Sequence, residues 1–293
     1  MSAALGTIIT AMVTPFTADL EVDHDKLAEL AVRLVDQGSD GLVVAGTTGE
    51  SPTLTDAEKT AMFRTVLDVV GGRVPVIAGS GTYDTRHSME LTRAAERCGV
   101  DAVLVVTPYY NKPPERGLEA HFRAVAAATA LPLVIYNIPG RSGVNLSPEA
   151  LARLAEVQNI VAVKQANPDL TQLHRLRELC DLGIYAGNDD MLLDVLKMGG
   201  LGGICVASHV VGPRLAEMAR LARTGDDAGA AAIDHELRGL FKALFVTTNP
   251  IPVKRALQLV GFDAGGLRLP LVDATTEESD VVAAELRSLA LLP

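Results

Sequence analysis

Lys164 closes a short apolar run, Val161-Ala162-Val163-Lys164, and a lysine there can do chemistry that a surface lysine cannot. With a side-chain period of two in an extended chain, Lys164 shares a face with Ile160 and Ala162, opposite Val161 and Val163. If that face is buried, the ammonium is desolvated, the neutral amine becomes accessible, and it can attack a carbonyl to form a Schiff base. Of the other lysines, Lys26, Lys59, Lys112, Lys197, Lys242 and Lys254, none ends an apolar strand. Taken alone, Lys164 reads first as a strand-end lysine whose head snorkels to water or pairs with a carboxylate. Its surroundings change that weighting, because imine chemistry needs a proton shuttle and an anion anchor.

Tyr136 ends the preceding run on the same face as Val134, and in a closed barrel it would neighbour Lys164. Its hydroxyl can donate and accept a proton, and it also suits an ordinary core tyrosine. Thr47 and Thr48 lie between glycines in Gly46-Thr47-Thr48-Gly49-Glu50-Ser51, a tight loop whose hydroxyls and amides suit a carboxylate or phosphate, or a plain strand-to-helix turn. Arg141, after Pro139 and Gly140, could fork onto a substrate carboxylate or stand in solvent. Tyr109 and Tyr110 are adjacent, so in extended chain they face opposite ways and at least one must pack outside its own strand.

These residues need a scaffold, and the chain supplies a regular one. Short β-branched runs begin near Thr7, Gly41, Val74, Asp101, Leu131, Ile160, Gly183 and Gly202, each bounded by Gly, Pro or polar residues as strands of a buried parallel sheet are. Amphipathic segments lie between them, such as Asp25 to Gln37 with Leu27, Leu30, Ala31 and Leu34 on one stripe. About eight such units in roughly 220 residues predict an α/β fold, a (β/α)8 TIM barrel, although alternation by itself also fits an open doubly wound sheet. Residues 1–212 are expected to form the barrel with the active site. Residues 213–293 are expected to be helical, the last barrel helix and a C-terminal extension, with Asp226 to Leu244 and Thr276 to Leu291 the clearest helices. In a barrel the reactive groups gather at the C-terminal strand ends, where the residues above and Gly187-Asn188-Asp189-Asp190 fall. Gly187 is counted among the substrate-binding candidates.

Composition excludes several functions. The 293 residues are 48% hydrophobic and 21% charged, enough for a large core, while aromatics are 4% and tryptophan is absent, so a base-stacking surface is not expected. A net charge of −10 disfavours nucleic acid and anionic membranes as partners, though a local cleft can still be positive. Cys98, Cys180 and Cys205 form no Cys-x-x-Cys pair, the N-terminus lacks a basic signal start, and Pro15 cuts short the apolar stretch Ile8 to Val13. A soluble cytoplasmic protein is expected. No His-x-x-x-His pair, zinc spacing, Gly-x-Ser-x-Gly elbow or Walker loop is present, Gly79-Ser80-Gly81 lacks the third glycine of a dinucleotide fingerprint, and Asp189-Asp190 read as helix-capping residues. Neither a metal nor a cofactor is expected.

Gly46-Thr47-Thr48-Gly49-Glu50, Val106-Thr107-Pro108-Tyr109-Tyr110-Asn111, Tyr136-Asn137-Ile138-Pro139-Gly140-Arg141-Ser142-Gly143 and Val161-Ala162-Val163-Lys164 occur together and in order. In this the chain resembles the dihydrodipicolinate synthase and N-acetylneuraminate lyase family over nearly its whole length. The resemblance implies that Lys164 condenses with pyruvate and that the enamine attacks aspartate β-semialdehyde. It implies Tyr136 as general acid/base and Thr47 as a relay to Tyr110, which in the family reaches in from a neighbouring subunit of a homo-oligomer, a tetramer. Thr48 would hold the pyruvate carboxylate, Ile204 would line its pocket, and Arg141 would take the semialdehyde carboxylate, a residue that sialic acid lyases generally lack. Two departures stand out. Gln165 replaces a carboxylate found after the lysine in many relatives. Asp56, Lys59, Tyr83 and His87 occupy the positions where lysine-inhibited members carry His, Asn and Glu, so lysine feedback is not expected. The competing readings are a pyruvate-dependent aldolase or lyase for a sugar acid, and a barrel that binds an oxo acid without turnover.

Overall fold

The computed structural model describes residues 5–292. Eight parallel strands close into a barrel in sequence order: β1 (Ile8–Ala11), β2 (Gly41–Val44), β3 (Val76–Gly79), β4 (Ala102–Val106), β5 (Leu133–Asn137), β6 (Ile160–Gln165), β7 (Gly183–Ala186) and β8 (Gly202–Cys205). Closure is made by β1 against β8, with Ile9 opposite Ile204. The fold is thus the (β/α)8 barrel and not an open sheet.

Period-two alternation divides the core. Ile9, Val43, Ile77, Leu104, Val134, Tyr136, Ala162, Tyr185 and Ile204 pack inside the barrel, whereas Leu42, Val44, Val76, Val103, Ile135, Val163 and Ile184 face the surrounding helices. Both faces of every strand are covered, which is why the strands read as continuous apolar runs.

One expectation about faces fails. Ile160 does not share the Lys164 face; it packs with Val163 in the helix-side core. The cause is a register shift in the β5–β6 ladder, where Leu133 pairs with Ile160 but Val134 pairs with Ala162. The extra residue, Val161, resets the alternation so that Ala162 and then Lys164 point inward.

The helix read at Asp25 to Gln37 spans His24–Asp36, started by an Asp23 side chain that accepts from the Lys26 amide. Helices Asp227–Ala243 and Thr276–Ser288 fall where the sequence puts them, the latter opened by a capping box of Thr275 and Glu278. Residue 212 lies within the helix Ser208–Thr224, at a kink where Val211 leaves helical geometry (φ −127°, ψ 28°) just before Pro213. No helix among the described residues is long and apolar enough to cross a membrane.

Candidate active site

Lys164 and Tyr136 are brought together by the β5–β6 ladder, in which they are direct partners. Both are buried, at 5% and 6% exposure. The Lys164 Nζ stands 4.2 Å from the centre of the Tyr136 ring. Burial pushes the lysine amine down to about 8, with Cys205 and Asp189 opposing and Arg141 reinforcing the shift. Burial pushes the Tyr136 hydroxyl up to about 12, against a smaller opposite pull from Arg141. At neutral pH the tyrosine therefore keeps its proton and can donate it, while a useful fraction of the lysine is neutral.

Thr47 and Thr48 sit in the loop after β2. The turn is closed by the Gly49 and Ser51 amides, which both donate to the Gly46 carbonyl, at 3.1 Å and 3.2 Å. Ala45 and Glu50 bracket it at positive φ, 54° and 57°, a backbone form that side chains rarely adopt and that recurs at functional sites. Thr47 lines a cavity with Tyr109 and Tyr136. Thr48 is buried, and its hydroxyl accepts a hydrogen bond from the Asn249 side chain at 2.9 Å.

Arg141 lies in the short helix Pro139–Ser142 at the mouth and donates to the Asn249 carbonyl at 3.3 Å. Ile204 is buried in the barrel interior. Gly187, after β7, donates its amide to the Gln165 carbonyl at 2.7 Å, and a Cβ there would meet that of Ala166 at 2.7 Å, so only glycine fits. Gln165 turns away from the site and accepts from Asn137 at 3.0 Å, joining a polar network that fixes the chain after β5.

Tyr110 is not brought to Tyr136 and Thr47 within the chain. It is 90% exposed, with φ +71°, while its neighbour Tyr109 packs edge-on against Tyr83 and lines the cavity. Of the residues marked against lysine feedback, His87 Nε2 pairs with Asp56 at 2.9 Å and Lys59 is buried.

Four residues of the surroundings escape the sequence reading. Glu50 is buried and ion-paired with Lys254 at 2.8 Å, and its other oxygen accepts from the Arg268 amide, so the C-terminal region ties down the threonine loop. Asn249 links Thr48 to Arg141. Nothing in the spacing of Asn249 or Lys254 marks them, because Asn249 reaches the site from the turn before the helix Ile251–Leu259 and Lys254 from that helix, both far along the chain. Asp189 corrects its reading as a cap: its carboxylate accepts from the Val206 and Ala207 amides at the end of β8 instead of from its own turn.

A closed parallel barrel with a buried, easily neutralised amine and a protonated tyrosine at its C-terminal rim is a site built for amine chemistry on a carbonyl. The chain belongs to the dihydrodipicolinate synthetase family, whose model matches residues 4–289, and it is a lyase-type enzyme. It is 54% identical over 289 residues to the 4-hydroxy-tetrahydrodipicolinate synthase of Moorella thermoacetica, covering 98% of this chain and 99% of that one. It is 51% identical over 294 residues to the enzyme of the same name from Desulforudis audaxviator, covering 100% of each. The solved structure of the Cyanidioschyzon merolae dihydrodipicolinate synthase with lysine bound superposes with a TM-score of 0.96 at 43% identity, covering 98% of this chain and 99% of that one.

Proposed function

We propose that the protein is a 4-hydroxy-tetrahydrodipicolinate synthase, condensing pyruvate with L-aspartate 4-semialdehyde in lysine and diaminopimelate biosynthesis. The observation that carries this reading is the buried Lys164 amine, pushed down to about 8 and held against Tyr136 at the end of β6.

The neutral Lys164 Nζ attacks the C2 carbonyl of pyruvate, and loss of water leaves a protonated imine. Removal of a C3 proton gives the enamine, whose carbon attacks the aldehyde of the semialdehyde. The substrate's own amino group then adds to C2, the ring closes, and the Lys164 amine departs. Tyr136 supplies and removes protons as general acid/base, with Thr47 relaying them toward Tyr110. Thr48 holds the pyruvate carboxylate, Ile204 and Gly187 shape the pocket, and Arg141 takes the carboxylate of the semialdehyde.

The 90% exposed Tyr110 suits a residue that completes the site of a neighbouring subunit, and we infer a homo-oligomer, a tetramer by family resemblance. The three free cysteines fit a reducing, cytoplasmic setting.

Borohydride reduction in the presence of pyruvate, followed by peptide mass spectrometry, tests the reading. The adduct is expected on Lys164, with turnover of the semialdehyde exceeding that of sialic acid or 2-keto-3-deoxy acids. A chain that turns over pyruvate and semialdehyde without any adduct on Lys164 would reject the mechanism.

A further inference from the structure

Asp189 opens the short turn Asp189–Met191 after β7 and is 3% exposed. Its own turn does not use the carboxylate. Instead Oδ1 accepts from the Val206 amide and Oδ2 from the Ala207 amide, each at 2.9 Å. With both oxygens taken up by donors, the carboxylate form is the one this geometry holds. Burial raises its pKa above the usual carboxylate range, and the two amides, the neighbouring Cys205 thiol and Lys164 work against that.

The groups acting on Lys164 come from each element around it: Tyr136 from β5, Arg141 from the turn beyond β5, Asp189 from the turn after β7, and Cys205 from β8. Arg141 is a cation and Tyr136 stays protonated. The Cys205 thiol is driven well above its ordinary value, by burial first and by Asp189 next, so it bears no charge where Lys164 titrates. The negative charge that opposes desolvation of the ammonium is therefore that of Asp189.

We propose that Asp189 is a positioning residue for the imine chemistry, fixing the end of β8 that carries Ile204 and supplying a buried negative charge toward Lys164. A fully uncompensated ammonium would be deprotonated but hard to regenerate as the protonated imine. The carboxylate balances the site between the two forms. This deepens the Schiff-base reading and rests on it.

The test is the pH dependence of pyruvate trapping by borohydride in the wild type, Asp189→Asn and Asp190→Asn, Asp190 being the exposed neighbour. Loss of the Asp189 charge is expected to move the trapping midpoint toward acid by about one pH unit, whereas Asp190→Asn leaves it in place. A purely structural role would lower stability and leave the midpoint unmoved, and that result would overturn the proposal. Should Asp189→Asn fail to fold, Asp189→Ser removes the same charge with a smaller side chain and is expected to move the midpoint in the same direction; no shift there overturns the proposal equally. Absence of any adduct in the wild type would reject the Schiff-base reading itself, a distinguishable outcome.

Discussion

Tyr136 and Lys164 are paired across β5 and β6 so that the lysine nitrogen lies 4.2 Å from the centre of the tyrosine ring. Burial drives the amine down to about 8, with Cys205 and Asp189 opposing and Arg141 reinforcing the shift. The amine is the nucleophile only when neutral, so acid disarms it. The rate of pyruvate trapping on Lys164 is expected to climb about tenfold per pH unit below 8 and to level off above it. A rate still rising steeply at pH 10 would mean that the amine is not desolvated.

Tyr136 has its hydroxyl pushed up to about 12, which keeps it an acid throughout the working range. Tyr136→Phe preserves the ring beside Lys164 and removes only the hydroxyl. Turnover is expected to fall by about 10²–10⁴-fold with folding stability little changed. A variant that retains near-normal turnover would assign the proton transfers elsewhere.

Arg141 and Thr48 share Asn249 as a common tether, yet the proposed chemistry uses them on different substrates. Arg141→Ala should raise the KM for the semialdehyde by roughly 10–100-fold, the worth of a charge-assisted hydrogen bond, and leave pyruvate trapping intact. Asn249→Ala removes the side-chain bond to Thr48 and keeps the backbone carbonyl that Arg141 uses, so it should weaken pyruvate more than the semialdehyde. Equal effects of Arg141→Ala on trapping and on the complete reaction would contradict this division.

Glu50 and Lys254 form an ion pair 2.8 Å long, with side chains 0% and 3% exposed. Removing one partner strands a buried charge, so Lys254→Met is expected to cost about 3–5 kcal/mol in urea denaturation. Neutralising both with Glu50→Gln and Lys254→Met should restore part of that loss. Turnover should fall in the single variant, because Glu50 braces the loop of Thr47 and Thr48.

How much of this could be read from the sequence depends on the range of the interactions. The strands were legible because each is buried on both faces, and the alternation with helices gave their order; β3, for example, lies two residues from where its run begins at Val74. Lys164 and Tyr136 were legible because each interrupts such a run at its reactive end. The inward face at Ile160 was misread, since a register shift depends on the partner strand and leaves no mark in its own residues. Asn249, Lys254 and the carboxylate of Asp189 stayed hidden for a related reason. They act through contacts with distant segments, and a residue's type does not announce where the chain will fold it.

His209 joins the two strands that close the barrel. Its Nε2 accepts from the Val13 amide at 3.2 Å, just beyond β1, and its Nδ1 lies 2.8 Å from the Val206 carbonyl, just beyond β8. A neutral ring with its proton on Nδ1 satisfies both bonds, whereas protonation at Nε2 sets two donors face to face. Burial accordingly holds His209 down at about 4, against 6.5 for a free ring. Above pH 6.5 folded and unfolded chains are both neutral and the full contribution is present. As pH falls from about 6.5 toward 4, only the unfolded chain takes up the proton, and stability is lost. Between pH 7 and pH 5 this residue should cost the fold about 2 kcal/mol. His209→Gln can keep one acceptor and one donor without titrating, so its stability should decline less over the same interval. His121, also held at about 4 by burial, is present in both proteins and cancels in the difference. Parallel pH profiles for wild type and variant in urea denaturation would show that the ring at the barrel seam is not the titrating group.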